Sequence, residues 1–169
     1  MVEIKRVTSD DLGWLQEHRN RDDLILYFNQ YRELSKEDMV DWYHDLTEPD
    51  SHFHAFIVWI GDRRIGYAAL KDINNILHSA EFSIFIISEE RNKGFGTIAL
   101  NLLLDYGFNT LNLEVIHSIV FEFNRAIEIY KQVGFKVDGL LRHTCYKQGK
   151  YHRSYYISML KNEYTNSIQ

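Results

Sequence analysis

The middle of the chain forces one architectural choice: a strand-like run ends in a glycine turn that opens into a helix. Ala80-Glu81-Phe82-Ser83-Ile84-Phe85-Ile86-Ile87 is rich in β-branched and aromatic residues, as a buried strand is. Arg91-Asn92-Lys93-Gly94-Phe95-Gly96-Thr97 follows. Ile98, Ala99, Leu102, Leu103 and Tyr106 then recur at three- and four-residue spacing, an apolar helix face. Glycine lets backbone approach a ligand closely, and the first N–H groups of a helix have no partner within it. At the positive end of the helix dipole such groups form an anion site, most often for phosphate. The turn therefore predicts an α/β fold and a phosphorylated ligand together.

Around it the pattern reads β-α-α-β-β-β-α-β-α-β-β. Val2 to Val7 alternates apolar and charged residues as a first strand, and Ser9-Asp10-Asp11 looks like a helix cap with acids in the first turn. Residues 22 to 46 read as further helix, with Ser35 and Asp38 spaced nearly as a capping box. Phe53 to Ile60 and Arg63 to Lys71 are strands joined by Gly61-Asp62, a hairpin signal. A helix from about Gly94 to Leu111 precedes a strand at Val115 to Phe121. Asn124 caps a short helix closed by Gly134, and two last strands, Phe135 to Tyr146 and Tyr151 to Leu160, flank Gln148-Gly149-Lys150. Hairpins with one β-α-β crossover predict a mixed sheet with helices on its faces.

With 169 residues, one proline and no repeat, the chain reads as a single domain, residues 1–169. A net charge of −5 disfavours a nucleic-acid partner. No stretch reaches the roughly 18 apolar residues of a membrane span. One cysteine, Cys145, rules out an internal disulfide, and the composition fits a cytoplasmic setting. The histidines have no H-E-x-x-H or similar spacing, so no metal is expected. Gly94-x-Gly96-x-x-Ala99 also satisfies the dinucleotide pattern. However, Glu89-Glu90-Arg91-Asn92-Lys93 separates it from the strand and hairpins precede it, which argues against a Rossmann fold.

The Arg91-x-x-Gly94-x-Gly96 turn resembles the acyl-CoA pyrophosphate loop of the GCN5-related N-acetyltransferase (GNAT) superfamily. Asn124-Arg125-Ala126-Ile127, Tyr130 and Gly134-Phe135 resemble its second signature. The Ser79-Ala80-Glu81 lead-in and the Gly149-Lys150-Tyr151…Met159-Leu160 ending are similar to one subgroup, the ribosomal-protein N-terminal, spermidine and nucleotide-amino-sugar N-acetyltransferases. The resemblance implies a central mixed, splayed β-sheet flanked by helices on both faces, and acetyl-CoA as co-substrate without metal. It also implies a small-molecule amine acceptor and a homodimer or larger assembly. By the same resemblance Arg91, Asn92, Lys93, Gly94, Phe95, Gly96 and Thr97 hold pyrophosphate, backbone groups of Ile86 and Ile87 hold pantetheine, and Asn124 belongs to the CoA site. The resemblance also implies that Tyr130 stands near the thioester sulfur and donates a proton to the leaving thiolate.

Read locally, Asn124 is equally an N-cap and Tyr130 equally a core tyrosine. Glu81, an acid in an apolar strand, is either a general base with a perturbed pKa or a structural carboxylate in an ion pair. An ordinary glutamate, near about 4.3, poorly matches an ammonium near 10, so a base there needs burial, a water relay or a weakened amine. Glu37, Asp38, Asp41, Asp45, Glu48 and Asp50 form either a polyamine-attracting face or the solvated side of a helix. Arg19, Asn20 and Tyr31 suit the base and diphosphate of a nucleotide, or a packed helix pair. The preferred acceptor is a nucleotide-linked amino sugar. The alternatives are a polyamine, a peptide N-terminus and a non-catalytic CoA-binding role.

Overall fold

The computed structural model describes residues 1–28 and 32–167. Seven strands form one mixed sheet: β1 (Val2–Arg6), β2 (His54–Ile60), β3 (Arg63–Asn74), β4 (Ser79–Ile86), β5 (Val115–Phe121), β6 (Lys136–Lys147) and β7 (Lys150–Leu160). Their order is β1-β2-β3-β4-β5-β7-β6. The helices are α1 (Leu12–Arg19), α2 (Asp22–Ile25), α3 (Lys36–Thr47), α4 (Phe95–Asp105), α5 (Ala126–Val133) and α6 (Lys161–Ser167). Burial of apolar stripes on both sides accounts for the layers. Leu100, Leu103 and Leu104 of α4, Ile127 of α5 and Tyr164 of α6 cover one face, over Ala68, Phe82 and Ile116. Leu15, Leu24, Met39 and Leu46 of α1 to α3 cover the other, over Ile57, Ala69 and Phe85.

The sheet opens where its parallel pair begins. Only Ser79↔Val115, Ala80↔Ile116 and Glu81↔His117 are in register between β4 and β5. Beyond Glu81, β4 continues to Ile86 along β3, and β5 continues to Phe121 along β7. The two strands part, and the Ser118 hydroxyl, donating to Phe82 O at 3.1 Å, closes the apex. This is the splay that the resemblance implied.

Three local expectations are corrected. The first cap is Thr8 rather than Ser9: the buried Asp11 carboxylate accepts from the Thr8 N–H (2.8 Å) and pairs with Arg64 (2.7 Å). The expected long helix over 22–46 is described as α2 and α3, and Leu34, just before α3, is held in non-helical backbone by Asn20, which bonds its N–H (2.7 Å) and C=O (2.9 Å). Ser35 then restarts the helix with a capping box to Asp38. The helix after Gly94 leaves α geometry at Tyr106 for a π-helical turn through Thr110. At Gly107 the backbone lies so close to Ile116 that a Cβ would stand 2.6 Å from its Cδ1. Helix α6 was not anticipated. It begins on Leu160 N–H bonded to Glu163 (2.9 Å).

Candidate active site

The loop between β4 and α4 presents backbone, not side chains. Gly94 takes φ +81° at the start of α4, a left-handed conformation that favours glycine. The first helical acceptor is Gly94 O, bonded by Ile98 N–H at 3.2 Å. The N–H groups of residues 92–97 meet no acceptor among the described residues, which makes a cradle for an anion. The loop's own cations are engaged elsewhere. Arg91 donates to Ile86 O (3.0 Å) and pairs with Asp23 (3.1 Å). Lys93 binds Glu89 O and the buried Glu90, both at 2.9 Å. Those bonds, with Arg63 at 2.7 Å, hold the Glu90 carboxyl below the usual range. Arg91 and Lys93 therefore shape the loop with their side chains and leave the amides to face a ligand.

Along the opening, strand alternation decides which amides are available. Ile87 N–H donates to Ile65 O (3.0 Å) and Ile87 O accepts from Glu90 N–H (3.0 Å), so the Ile87 backbone is already engaged. Those bonds engage the Ile87 backbone that was expected to hold pantetheine. By the alternation of an antiparallel ladder, the amides of Ile86 and Ile84 then face the gap toward β5. Ile84 was missed because sequence gives no phase for a strand's outward-facing amides.

At the apex, Glu81 pairs with Lys71 at 3.0 Å and its side chain is about one-fifth exposed (21%). It is thus a carboxylate in an ion pair, with Lys71 as its partner. Across the parallel ladder stands His117, which sequence reading set aside as one scattered histidine. Tyr130, on α5, packs edge-on against Phe82 at 5.1 Å, and burial pushes its hydroxyl up to about 12. Asn124 stands just before the N-cap of α5, and its side-chain oxygen accepts from Ala126 N–H at 3.0 Å. That bond and Gly134 (φ +119°) delimit the short helix that carries Tyr130.

On the face of α1 to α3, Arg19 lies over Phe28 (5.4 Å) with Nε enclosed and without a hydrogen-bond partner. Burial lowers its pKa, and no ion pair joins it to a described residue. The Asn20 amide serves the Leu34 contact above. Tyr31 lies outside the described residues. No three metal-ligating side chains converge among the described residues, and no described helix is long and apolar enough to cross a membrane.

The fold and its splayed parallel pair are matched in known proteins. A family model described as "Acetyltransferase (GNAT) domain" matches residues 2–136. Spermidine N(1)-acetyltransferase of Escherichia coli K12 is 30% identical, covering 96% of this chain and 88% of that protein. Acetyltransferase PseH of Campylobacter jejuni is 27% identical, covering 88% of this chain and 95% of that protein. Spermidine N-acetyltransferase from Vibrio cholerae, solved with CoA and spermine, superposes with a TM-score of 0.92 at 28% identity, over 98% of each chain. The chain belongs to the GNAT family and is an acetyl-CoA-dependent N-acetyltransferase.

Proposed function

We propose that the acceptor is a small aliphatic polyamine of the spermidine type. The observation that carries this is whole-length likeness to spermidine N-acetyltransferases in both sequence and fold. It displaces the amino sugar as the preferred acceptor. The charge distribution agrees: Glu37, Asp41 and Asp45 recur every fourth residue along α3, all exposed, on a chain of net charge −5.

In this reading the amides of residues 92–97 receive the pyrophosphate, and the edge amides of Ile84 and Ile86 pair with the pantetheine arm. The thioester carbonyl then arrives at the apex, between Glu81 on one face and Tyr130 on the other. Glu81 draws the substrate ammonium to that point, and Tyr130 hydrogen-bonds the departing sulfur. Holding two reactants in one complex supplies much of the rate.

Gly96→Ala tests the cradle. A Cβ there stands 3.5 Å from Ile86 Cγ1, an ordinary contact, so the fold tolerates it. The methyl holds an anion away from the neighbouring amides, and CoA affinity is expected to fall about tenfold, roughly 1.4 kcal/mol. Calorimetric binding beside a thermal melt reads both; unchanged affinity removes the loop from the site.

Arg19 favours a second reading. A half-buried guanidinium over the Phe28 ring, with no carboxylate paired to it among the described residues, is costly, and an anionic substituent on the acceptor relieves it. A nucleotide-linked amino sugar has that chemistry. CoA release is therefore measured with spermidine and spermine, with a nucleotide-linked amino sugar, and with peptides bearing free N-termini. Turnover of the polyamines, with kcat/KM falling as salt rises, is expected. Turnover confined to the sugar nucleotide replaces the first reading by the second.

A further inference from the structure

We infer that His117 is the proton acceptor for the attacking amine, acting beside Glu81 where β4 and β5 part. This rests on the reading of the splay as the place of acetyl transfer, and goes beyond it by dividing two tasks that Glu81 alone was expected to perform. Glu81↔His117 is the last in-register pair before the strands separate, so both side chains project to the same face at the apex. The imidazole is held in place by stacking on Tyr156, centroids 5.4 Å apart and planes 27° apart. Its Nδ1 is enclosed without a hydrogen-bond partner among the described residues. An enclosed, unbonded nitrogen in a folded protein calls for a reason.

Here the reason is chemical. Burial disfavours the imidazolium, so the resting ring is neutral, and the role assigned here calls for the tautomer with its hydrogen on the enclosed Nδ1, which leaves the Nε2 lone pair open to accept. The groups around it balance. Glu81 on β4 and Asp72 on β3 favour the charged ring, while Lys71 on β3 opposes it. Tyr156 on β7 covers its face. Ser158, its in-register partner on β7, donates its hydroxyl to Asp138 of β6. Burial is the dominant influence and lowers the pKa from 6.5. A neutral imidazole with a free lone pair is a better acceptor than a carboxylate already paired with Lys71.

The step balances. The amine, having released its ammonium proton to solvent, donates its lone pair to the thioester carbon; the C–N bond forms and the carbonyl π pair moves to oxygen. The proton left on nitrogen passes to His117 Nε2, and the nearby Glu81 carboxylate stabilises the imidazolium. Collapse re-forms C=O and breaks C–S, with the Tyr130 hydroxyl supplying the proton to sulfur. His117 returns its proton to solvent and Tyr130 regains one, leaving an acetamide and CoA thiol.

The test is the pH profile of kcat/KM for CoA release, with whichever acceptor set the wild type turns over, in wild type and His117→Asn. Melting and acetyl-CoA binding serve as controls. The wild type is expected to lose activity as pH falls through a midpoint below 6.5. His117→Asn is expected to be roughly 10²-fold slower on the plateau, with that acidic limb gone and acetyl-CoA affinity unchanged. A limb that survives in His117→Asn, or a uniform loss with the limb in place, overturns the assignment. Nitrogen-15 NMR of the wild-type imidazoles decides it even if the variant misfolds. His117 should be neutral at pH 7 and titrate with the rate, and a ring that titrates elsewhere overturns the proposal. A wild type inert toward every acceptor set sinks the placement of acetyl transfer itself. An active wild type with an indifferent His117 sinks only this inference.

Discussion

Tyr130→Phe is expected to lower kcat by roughly 10²-fold while leaving acetyl-CoA affinity and melting temperature unchanged. The ring sits between Phe82 (5.1 Å) and Phe135 (6.3 Å), contacts that a phenylalanine keeps. Burial places the hydroxyl near about 12 against an ordinary thiol near 8.5. Complete transfer to a free thiolate would then be uphill by about 5 kcal/mol, more than twice the value for an exposed phenol. Tyr130 therefore does not release its proton ahead of bond cleavage. Its hydrogen bond strengthens as charge grows on sulfur, and the same burial raises the basicity of the departing thiolate. Such a bond exists only in the transition state, so its loss falls on kcat. Single-turnover acetyl transfer reads the step directly; wild-type kcat in Tyr130→Phe would leave Tyr130 a core aromatic.

Much of this arrangement was legible because local chemistry and global fold agree at the decisive points. Gly94 and the apolar run after it announce the loop and α4; Ser35 and Asp38 announce α3; Gly61-Asp62 announces the β2–β3 turn. Three things were hidden, each for a physical reason. Side-chain partners are set by tertiary neighbours, so the bonds of Arg91 to Asp23 and Ile86 O and of Lys93 to Glu90 appear only in the fold. Strand phase is set by the partner, so the engagement of Ile87 and the freedom of Ile84 appear only once Ile65 lies beside them. Pairing across a crossover is invisible locally, which is why His117, 36 residues after Glu81, was not joined to it.

Gly66→Ala is expected to be the most damaging of the glycine substitutions, for a reason that lies in β4 rather than at Gly66 itself. Gly66 stands in register with Ile86, and a Cβ there would lie 2.3 Å from Phe85 O and 2.7 Å from Ile86 Cδ1. Ile86 can turn its methyl aside, but the Phe85 carbonyl is backbone and moves only if the strand moves. Overpacking of this kind costs about 3 kcal/mol, a large share of the 5–15 kcal/mol that typically holds a domain together. A lower urea midpoint at unchanged slope is the expected reading. Displacement of β4 also shifts the Ile84 and Ile86 amides and the Ile86 carbonyl that anchors Arg91. Acetyl-CoA affinity should therefore fall even under conditions where the variant is folded. Gly96→Ala loses affinity without stability, Gly66→Ala loses both, and that contrast separates a glycine kept for its ligand from one kept for its neighbouring strand. Equal stability of Gly66→Ala and wild type would mean that β3 and β4 are not in this register, and the assignment of Ile84 to the splay would fail with it.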